Sequence, residues 1–291
     1  MKAVCRLEDL RAERSALPDS LGLIPTMGAL HDGHLSLVRQ ARTECASVAV
    51  SIFVNPTQFG PHEDLQSYPR DLPGDVDMLE RAGVDLVWTP EVEDVYPPGD
   101  QTWVTVEAVT RGLEGARRPG HFRGVATVVT KLLHAFEPQR AYFGQKDAQQ
   151  AVVIRRMARD LLLPVEIVVC PTVREADGLA LSSRNRYLSP DEGRSATVLY
   201  RALRAASAAF EAGERDAERL RQVMRDVLGS EPKARPQYVS AADAETLEEL
   251  NGQVGQALLS MAVTIGATTL IDNTTVGSEK ATSQGQLGAG S

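Results

Sequence analysis

The chain lacks a long apolar run: no stretch approaches the roughly 18 consecutive apolar residues of a membrane-spanning helix. The N-terminal region, with Glu8 and Asp9 soon after Arg6, also lacks the apolar core of a secretory signal. Cysteine is scarce. Cys5, Cys45 and Cys170 are odd in number, far apart and outside any C-x-x-C spacing, which argues against a disulfide framework and a cysteine zinc site. A basic excess is missing too. The 31 Lys and Arg against 39 Asp and Glu leave a net charge of −8, which argues against binding nucleic acid or an anionic membrane surface. No internal repeat of useful length is present. These absences leave a cytoplasmic protein with reduced thiols that acts on small molecules.

At 291 residues the chain can bury a sizeable core, and its length favours two domains over one large α/β domain. Short apolar runs at 21–24, 48–54, 84–88, 140–143 and 165–170 alternate with helical patterns. That alternation predicts an α/β fold, a Rossmann-like parallel sheet with crossover helices. Val125, Val128, Val129, Leu132, Leu133 and Phe136 recur at helical spacing and form one buried stripe, ended by Pro138. A second helix is expected over 147–163, stopped at Pro164, which places Gly144-Gln-Lys-Asp147 at a strand-to-helix junction. After about Val173 the texture changes. Residues 195–228 read as two helices parted near Gly213, and 237–242, 257–265 and 268–272 read as strands of a smaller α+β unit. The expected division is 1–173, a nucleotide- and substrate-binding domain, and 174–276, a smaller C-terminal lid domain. From Val276 onward Gly, Ser and Gln dominate, so 277–291 are expected to form a flexible tail.

The segment Pro25-Thr-Met-Gly-Ala-Leu-His31-Asp-Gly-His34 joins the first apolar run to a helix expected from near Leu35 to near Cys45. A helix N-terminus presents unpaired N–H groups and partial positive charge, which suit a phosphate. Imidazoles there can donate hydrogen bonds to phosphoryl oxygens and stabilise charge on a departing group. A capped turn with one half-buried histidine is the plainer reading of this pair. A metal site is disfavoured, because the pair has no nearby Cys and not the spacing of H-E-x-x-H.

Four further clusters sit beside apolar runs: Phe53-Val-Asn55-Pro-Thr-Gln58-Phe-Gly60, Gly120-His121-Phe-Arg123-Gly-Val, Tyr142-Phe-Gly144-Gln-Lys146-Asp147-Ala-Gln149-Gln150, and Asp177-Gly-Leu-Ala-Leu-Ser182-Ser183-Arg184-Asn185. Asn55 and Gln58 could hold a hydroxyl or carboxylate through neutral hydrogen bonds. Lys146, a point charge, and Arg184, a bidentate fork, suit triphosphate oxygens. His121 and Arg123 stay open between holding the helix start, a subunit contact and substrate. His62 and His134 read as structural.

The five clusters together, in this order, resemble the pantoate–β-alanine ligases, the pantothenate synthetase family of the nucleotidyltransferase superfamily with an H-x-G-H signature. A lone H-x-G-H would be weak, since related adenylyltransferases and class I aminoacyl-tRNA synthetases carry similar turns. The resemblance implies that pantoate attacks the α-phosphorus of ATP, giving pantoyl adenylate and pyrophosphate, and that β-alanine then displaces AMP to form pantothenate. It further implies roles for named residues. His34 and His31 would be catalytic at the phosphates, with Lys146 and Arg184. Met27, Gly28, Ala29, Leu30, Asp32 and Gly33 would cradle the nucleotide from the first turn, and Gly144, Gln145, Lys146 and Asp147 from the second. Val173 would touch adenine, and Leu181, Ser182, Ser183 and Arg184 would cover the phosphates. Gln58, Gln150 and Asn55 would hold pantoate or β-alanine. Mg2+ would accompany ATP, with Asp75 a candidate ligand, and a homodimer is implied. Gln145 stands where many relatives carry Glu. Another adenylyltransferase of the superfamily and a non-catalytic nucleotide-binding module are the alternatives.

Overall fold

The computed structural model describes residues 1–61, 63 and 65–277. In chain order the first part contains β1 (Lys2–Val4), α1 (Leu7–Ala16), β2 (Leu21–Thr26), α2 (Asp32–Glu44), β3 (Ser47–Ile52), α3 (Leu72–Arg81), β4 (Leu86–Trp88), α4 (Val92–Val95), α5 (Leu113–Arg117), α6 (His121–Phe136), β5 (Arg140–Gly144), α7 (Ala148–Asp160) and β6 (Glu166–Cys170). The remainder contains α8 (Pro190–Ala196), α9 (Val198–Glu211), α10 (Ala217–Gly229), β7 (Ala234–Ala242), β8 (Ala257–Ile265) and β9 (Thr268–Val276).

Six strands form one parallel sheet in the order β1-β4-β3-β2-β5-β6. The apolar runs are near-continuous because helices cover both faces. Leu21 and Leu23 of β2 join a cluster with Leu10, Val125, Leu132 and Phe136, whereas Ile24 of the same strand joins Leu37, Val38 and Leu79 on the other side. From β2 the chain winds outward through β3 to β4, and β5 then returns to the opposite side of β2. The strand order therefore reverses between β2 and β5. In an open α/β sheet this is where the carboxyl ends of two strands part and a ligand crevice opens.

Two of the sequence boundaries shift for local reasons. α2 begins at Asp32, three residues before the expected start, because His31 caps it. α6 begins at His121, so the Gly-His-Phe-Arg cluster is its first turn and not a loop before it. The helix is packed at that end on a short 3-10 turn, Pro56–Gln58. A Cβ on Gly124 would stand 2.4 Å from the Thr57 carbonyl oxygen, so the contact requires glycine.

The C-terminal part is built on an antiparallel sheet, β7-β8-β9, covered by α9 and α10. Leu199, Leu203, Leu220, Met224, Leu259 and Met261 make its separate core. Val276, expected to open the tail, is instead the buried last residue of β9. The tail itself falls almost wholly in 278–291, outside the described residues, as does His62. β1, a three-residue edge strand, and α8 had no clear sequence signal. No helix among the described residues is long and apolar enough to cross a membrane.

Because backbone meets backbone at Gly124, Gly124→Ala should destabilise the protein by about 1–3 kcal/mol, the usual cost of overpacking. Urea unfolding of the purified variant measures this. A change below about 0.5 kcal/mol, the range of neutral surface substitutions, would mean that the contact is slack.

Candidate active site

The first turn leaves the carboxyl end of β2 and closes on itself. His31 is the N-cap of α2: its Nδ1 accepts from the Gly33 amide at 3.1 Å, and the His34 Nδ1 accepts from the His31 amide at 3.3 Å. This reciprocal pattern is a capping box made by two imidazoles. With each Nδ1 used as an acceptor, the neutral ring carries its proton on Nε2. Burial lowers the His31 pKa, with the Lys146 charge adding to the effect. Burial, reinforced by His31, takes His34 down to about 3. Both rings are therefore neutral Nε2–H donors near pH 7, with centroids 4.1 Å apart. Gly33 is required between them, since its Cβ would lie 2.8 Å from the His31 ring.

Asp75, from α3, braces this turn from beneath. Its two carboxylate oxygens accept from the Ala29 and Leu30 amides, both at 2.8 Å. Burial raises its pKa, and the two amides act in the opposite direction. Asp75 lines neither cavity described below, and its side chain clamps the backbone of the turn.

Asn55 lines the smaller of the cavities described below. Its Oδ1 accepts from the Thr57 amide, the Thr57 hydroxyl and the Tyr96 hydroxyl, and its Nδ2 donates to Gln58 Oε1 and the Gly124 carbonyl. These bonds occupy its polar positions and tie it to Gln58. Gln58 keeps one Nε2–H beyond its contact with Met27 Sδ at 3.1 Å. Behind it, His121 Nδ1 donates to the Gln58 carbonyl at 2.8 Å, and its Nε2 accepts from Arg118 at 3.1 Å. Burial and then the Arg118 charge lower the His121 pKa to about 4. His121 is the first residue of α6 and also lines both cavities described below.

Two connecting cavities, of about 240 and 650 Å3, make one crevice at the switch point. His31, His34, Met27, Gly33, Gln58, Gly144, Val173, Leu181 and Ser183 line the smaller. Lys146, Asp147, Gln150, Ser182 and Arg184 line both. The smaller cavity is also lined by Thr172, whose buried hydroxyl has no protein partner among the described residues, and which sequence reading missed beside Val173. Gly28, Ala29, Leu30, Asp32 and Gln145 are not among the lining residues. Ala29 and Leu30 are buried under the turn, and Asp32 faces solvent. Gln145 turns toward β9, where its Nε2 donates to Asn273 Oδ1 at 2.9 Å.

The C-terminal part closes the larger cavity. Asn273 Nδ2 donates to the carbonyls of Gln145 and Lys146, both at 2.9 Å, so a buried β9 residue holds the backbone on which Lys146 is mounted. Arg174 grips Asp272 in a bidentate pair at 2.6 and 2.9 Å and lies over the Tyr200 ring. Among the described residues no group of three or more His, Cys, Asp or Glu side chains is arranged to hold a metal ion.

A model of the Pantoate-beta-alanine ligase family matches residues 2–275. The chain is 60% identical over 273 residues to a pantothenate synthetase of Roseiflexus sp. (strain RS-1), covering 94% of this chain and 98% of that protein. It is 61% identical over 275 residues to one of Chloroflexus aurantiacus, with 94% and 97% covered. The crystal structure of pantothenate synthetase from Thermus thermophilus superposes with a TM-score of 0.90 at 50% identity, covering 94% of this chain and 99% of that one. A Francisella tularensis pantoate–β-alanine ligase, complexed with beta-gamma ATP and β-alanine, gives 0.78 at 36% identity, with 94% and 97% covered. With a family match over nearly its whole length and relatives at about 60% identity, the chain belongs to the pantoate–β-alanine ligase family.

Proposed function

We propose that the switch-point crevice is where this ligase condenses pantoate with β-alanine at the expense of ATP. One observation carries the assignment of residues. Two neutral imidazoles, two primary amides and two cations, Lys146 and Arg184, converge on a single crevice fed by both strand-to-helix turns.

In the first half-reaction a pantoate carboxylate oxygen attacks the α-phosphorus. The bond to the bridging oxygen breaks and its electron pair leaves with pyrophosphate. Lys146 and Arg184 balance the phosphate charge, while the Nε2–H groups of His31 and His34 donate to oxygens whose charge grows in the transition state. Gln58 and Gln150 orient pantoate through neutral amides. Gln150 makes no side-chain hydrogen bond among the described residues, which leaves all its donors and acceptors for substrate. In the second half-reaction the β-alanine nitrogen attacks the acyl carbon, the C–O bond to AMP breaks, and the amine proton is lost.

Gly144, Asp147, Val173 and Leu181 face the nucleoside side, and Ser182 and Ser183 the phosphates. Residues 1–173 form the binding domain in this reading, and 174–276 a lid held by the Gln145–Asn273 contact. Mg2+ enters with ATP, since it is usually held by substrate phosphates and water with one or two carboxylates. A cytoplasmic homodimer is the proposed form.

ATP, Mg2+ and pantoate should support pyrophosphate exchange without any amine, and adding β-alanine should release AMP with an amide. Failure of pantoate to elicit exchange would sink the assignment. His34→Ala should lower kcat by about 10²–10³, the cost of one transition-state donor, with a much smaller effect on the KM for ATP. Equal losses in both would reduce His34 to ground-state binding.

The histidine shifts fix a pH dependence of stability. His34 and His121 have folded pKa values of about 3 and about 4, below the ordinary 6.5, so the unfolded chain binds protons that the folded chain refuses. Their stabilising effect is complete above about pH 6.5 and is lost as pH falls toward 4 and then 3, at up to about 1.4 kcal/mol per pH unit for a fully buried ring. Urea unfolding between pH 7 and 4.5 should show this slope in the wild type and a shallower one in His121→Asn. Equal slopes would mean that His121 titrates normally.

A further inference from the structure

Three cations line both cavities of the crevice: Lys146, Arg184 and Arg118. The phosphates account for the first two. Arg118 is bonded on the side of Gln58. Its Nη1 donates to His121, whose other nitrogen holds the Gln58 carbonyl, and its Nη2 lies 3.5 Å from that same carbonyl. It is thus one residue away from the amide that orients the acid, at the junction of the acid pocket and the wider opening.

The guanidinium is already shaped for a carboxylate. Glu63 takes its Nε and Nη2 in a fork, with the Nε contact at 2.9 Å. Burial raises the Glu63 pKa, but Arg118 outweighs it and holds the carboxyl below its usual range. Both side chains are largely sheltered, 19% and 24% exposed. The arginine is also rigidly mounted: its amide donates to the Glu114 carbonyl at 2.8 Å and its carbonyl accepts from the His121 amide at 3.0 Å, so it is held against the first turn of α6.

We propose that Arg118 receives the carboxylate of the amine substrate and sets its specificity, and that Glu63 competes for the same edge of the guanidinium. This rests on reading the crevice as the amide-forming site. In β-alanine two methylenes separate the amine from the carboxylate, a span of roughly 4–5 Å from bonds of about 1.5 Å. A cation beside Gln58 is therefore suitably placed to hold the carboxylate while the amine reaches the acyl carbon. Lys146 and Arg184 are less suited, because the AMP phosphate of the intermediate still engages them. A fork that pairs with a carboxylate discriminates against amines that lack one, since such an amine cannot displace Glu63 and gains no charged pair in its place.

The test is acceptor preference. Amide formation is measured at saturating ATP and pantoate with β-alanine and with β-alaninamide, which carries the same amine without the charge. Arg118→Gln should raise the KM for β-alanine at least 50-fold and lower the ratio of kcat/KM values for the two acceptors at least tenfold. Arg118→Lys, which keeps the charge but not the fork, should fall between. A purely structural role would lower both acceptors together, so a ratio within threefold of wild type in both variants overturns the proposal. Pantoate-dependent pyrophosphate exchange without any amine reports the underlying reading separately. Its absence from the wild type overturns the ligase assignment, and an unchanged ratio in exchange-active variants overturns only the role of Arg118.

Discussion

The site depends on the hydrogen bonds by which the first turn caps its own helix. A helix N-terminus needs acceptors for its free amides, and here imidazole nitrogens supply them in place of Ser or Asp. That use of Nδ1 has a chemical consequence. It decides the tautomer, so the remaining proton of each ring sits on Nε2. Burial keeps the rings neutral, so each offers a hydrogen bond without a charge that would bind ground state and transition state alike. The cations are supplied separately by Lys146 and Arg184.

Rigidity is built around the turn in layers. Asp75 holds the Ala29 and Leu30 amides from below, and Asn55 locks the Gln58 turn against α6 through the close approach at Gly124. These residues hold others in place, and their polar atoms are already engaged. The C-terminal sheet takes part on the same terms. Asn273 and Gln145 join it to the second turn, and the pair of half-buried Arg174 with buried Asp272 joins it to the chain leaving β6. A pair of this kind adds little net stability over apolar packing, but breaking it is expensive, so it specifies one arrangement of the two parts.

Much of the fold was legible because the parallel strands are continuous apolar runs and the helices between them have sharp stops. β8 was read at its observed limits, and β2, β3, β5 and β6 within one or two residues of theirs. The start of α6 was not, because Gly and His have no strong helical signal and the helix begins there only by packing on the Gln58 turn. The partners of Asn55 and Asp75 are not legible in sequence, because an amide or carboxylate looks the same there whether it faces a substrate or the backbone. Arg118 and Asn273 carried no motif of their own as site residues. Arg118 stands just before the Gly-His-Phe-Arg cluster, and Asn273 is separated from Gln145 by more than a hundred residues.

The sequence by itself determined the family, the parallel sheet and the place of the two-histidine turn, since these depend on local spacing: apolar period, glycine at a tight approach and histidines flanking a helix start. Tertiary structure decided which polar groups face the crevice and which support it. A side chain's hydrogen-bond partners come from distant segments, and only when they are in place is it settled that Gln58 keeps an unused N–H, that the polar positions of Asn55 are filled, that Asp75 accepts from the first turn, and that Arg118 stands beside Gln58.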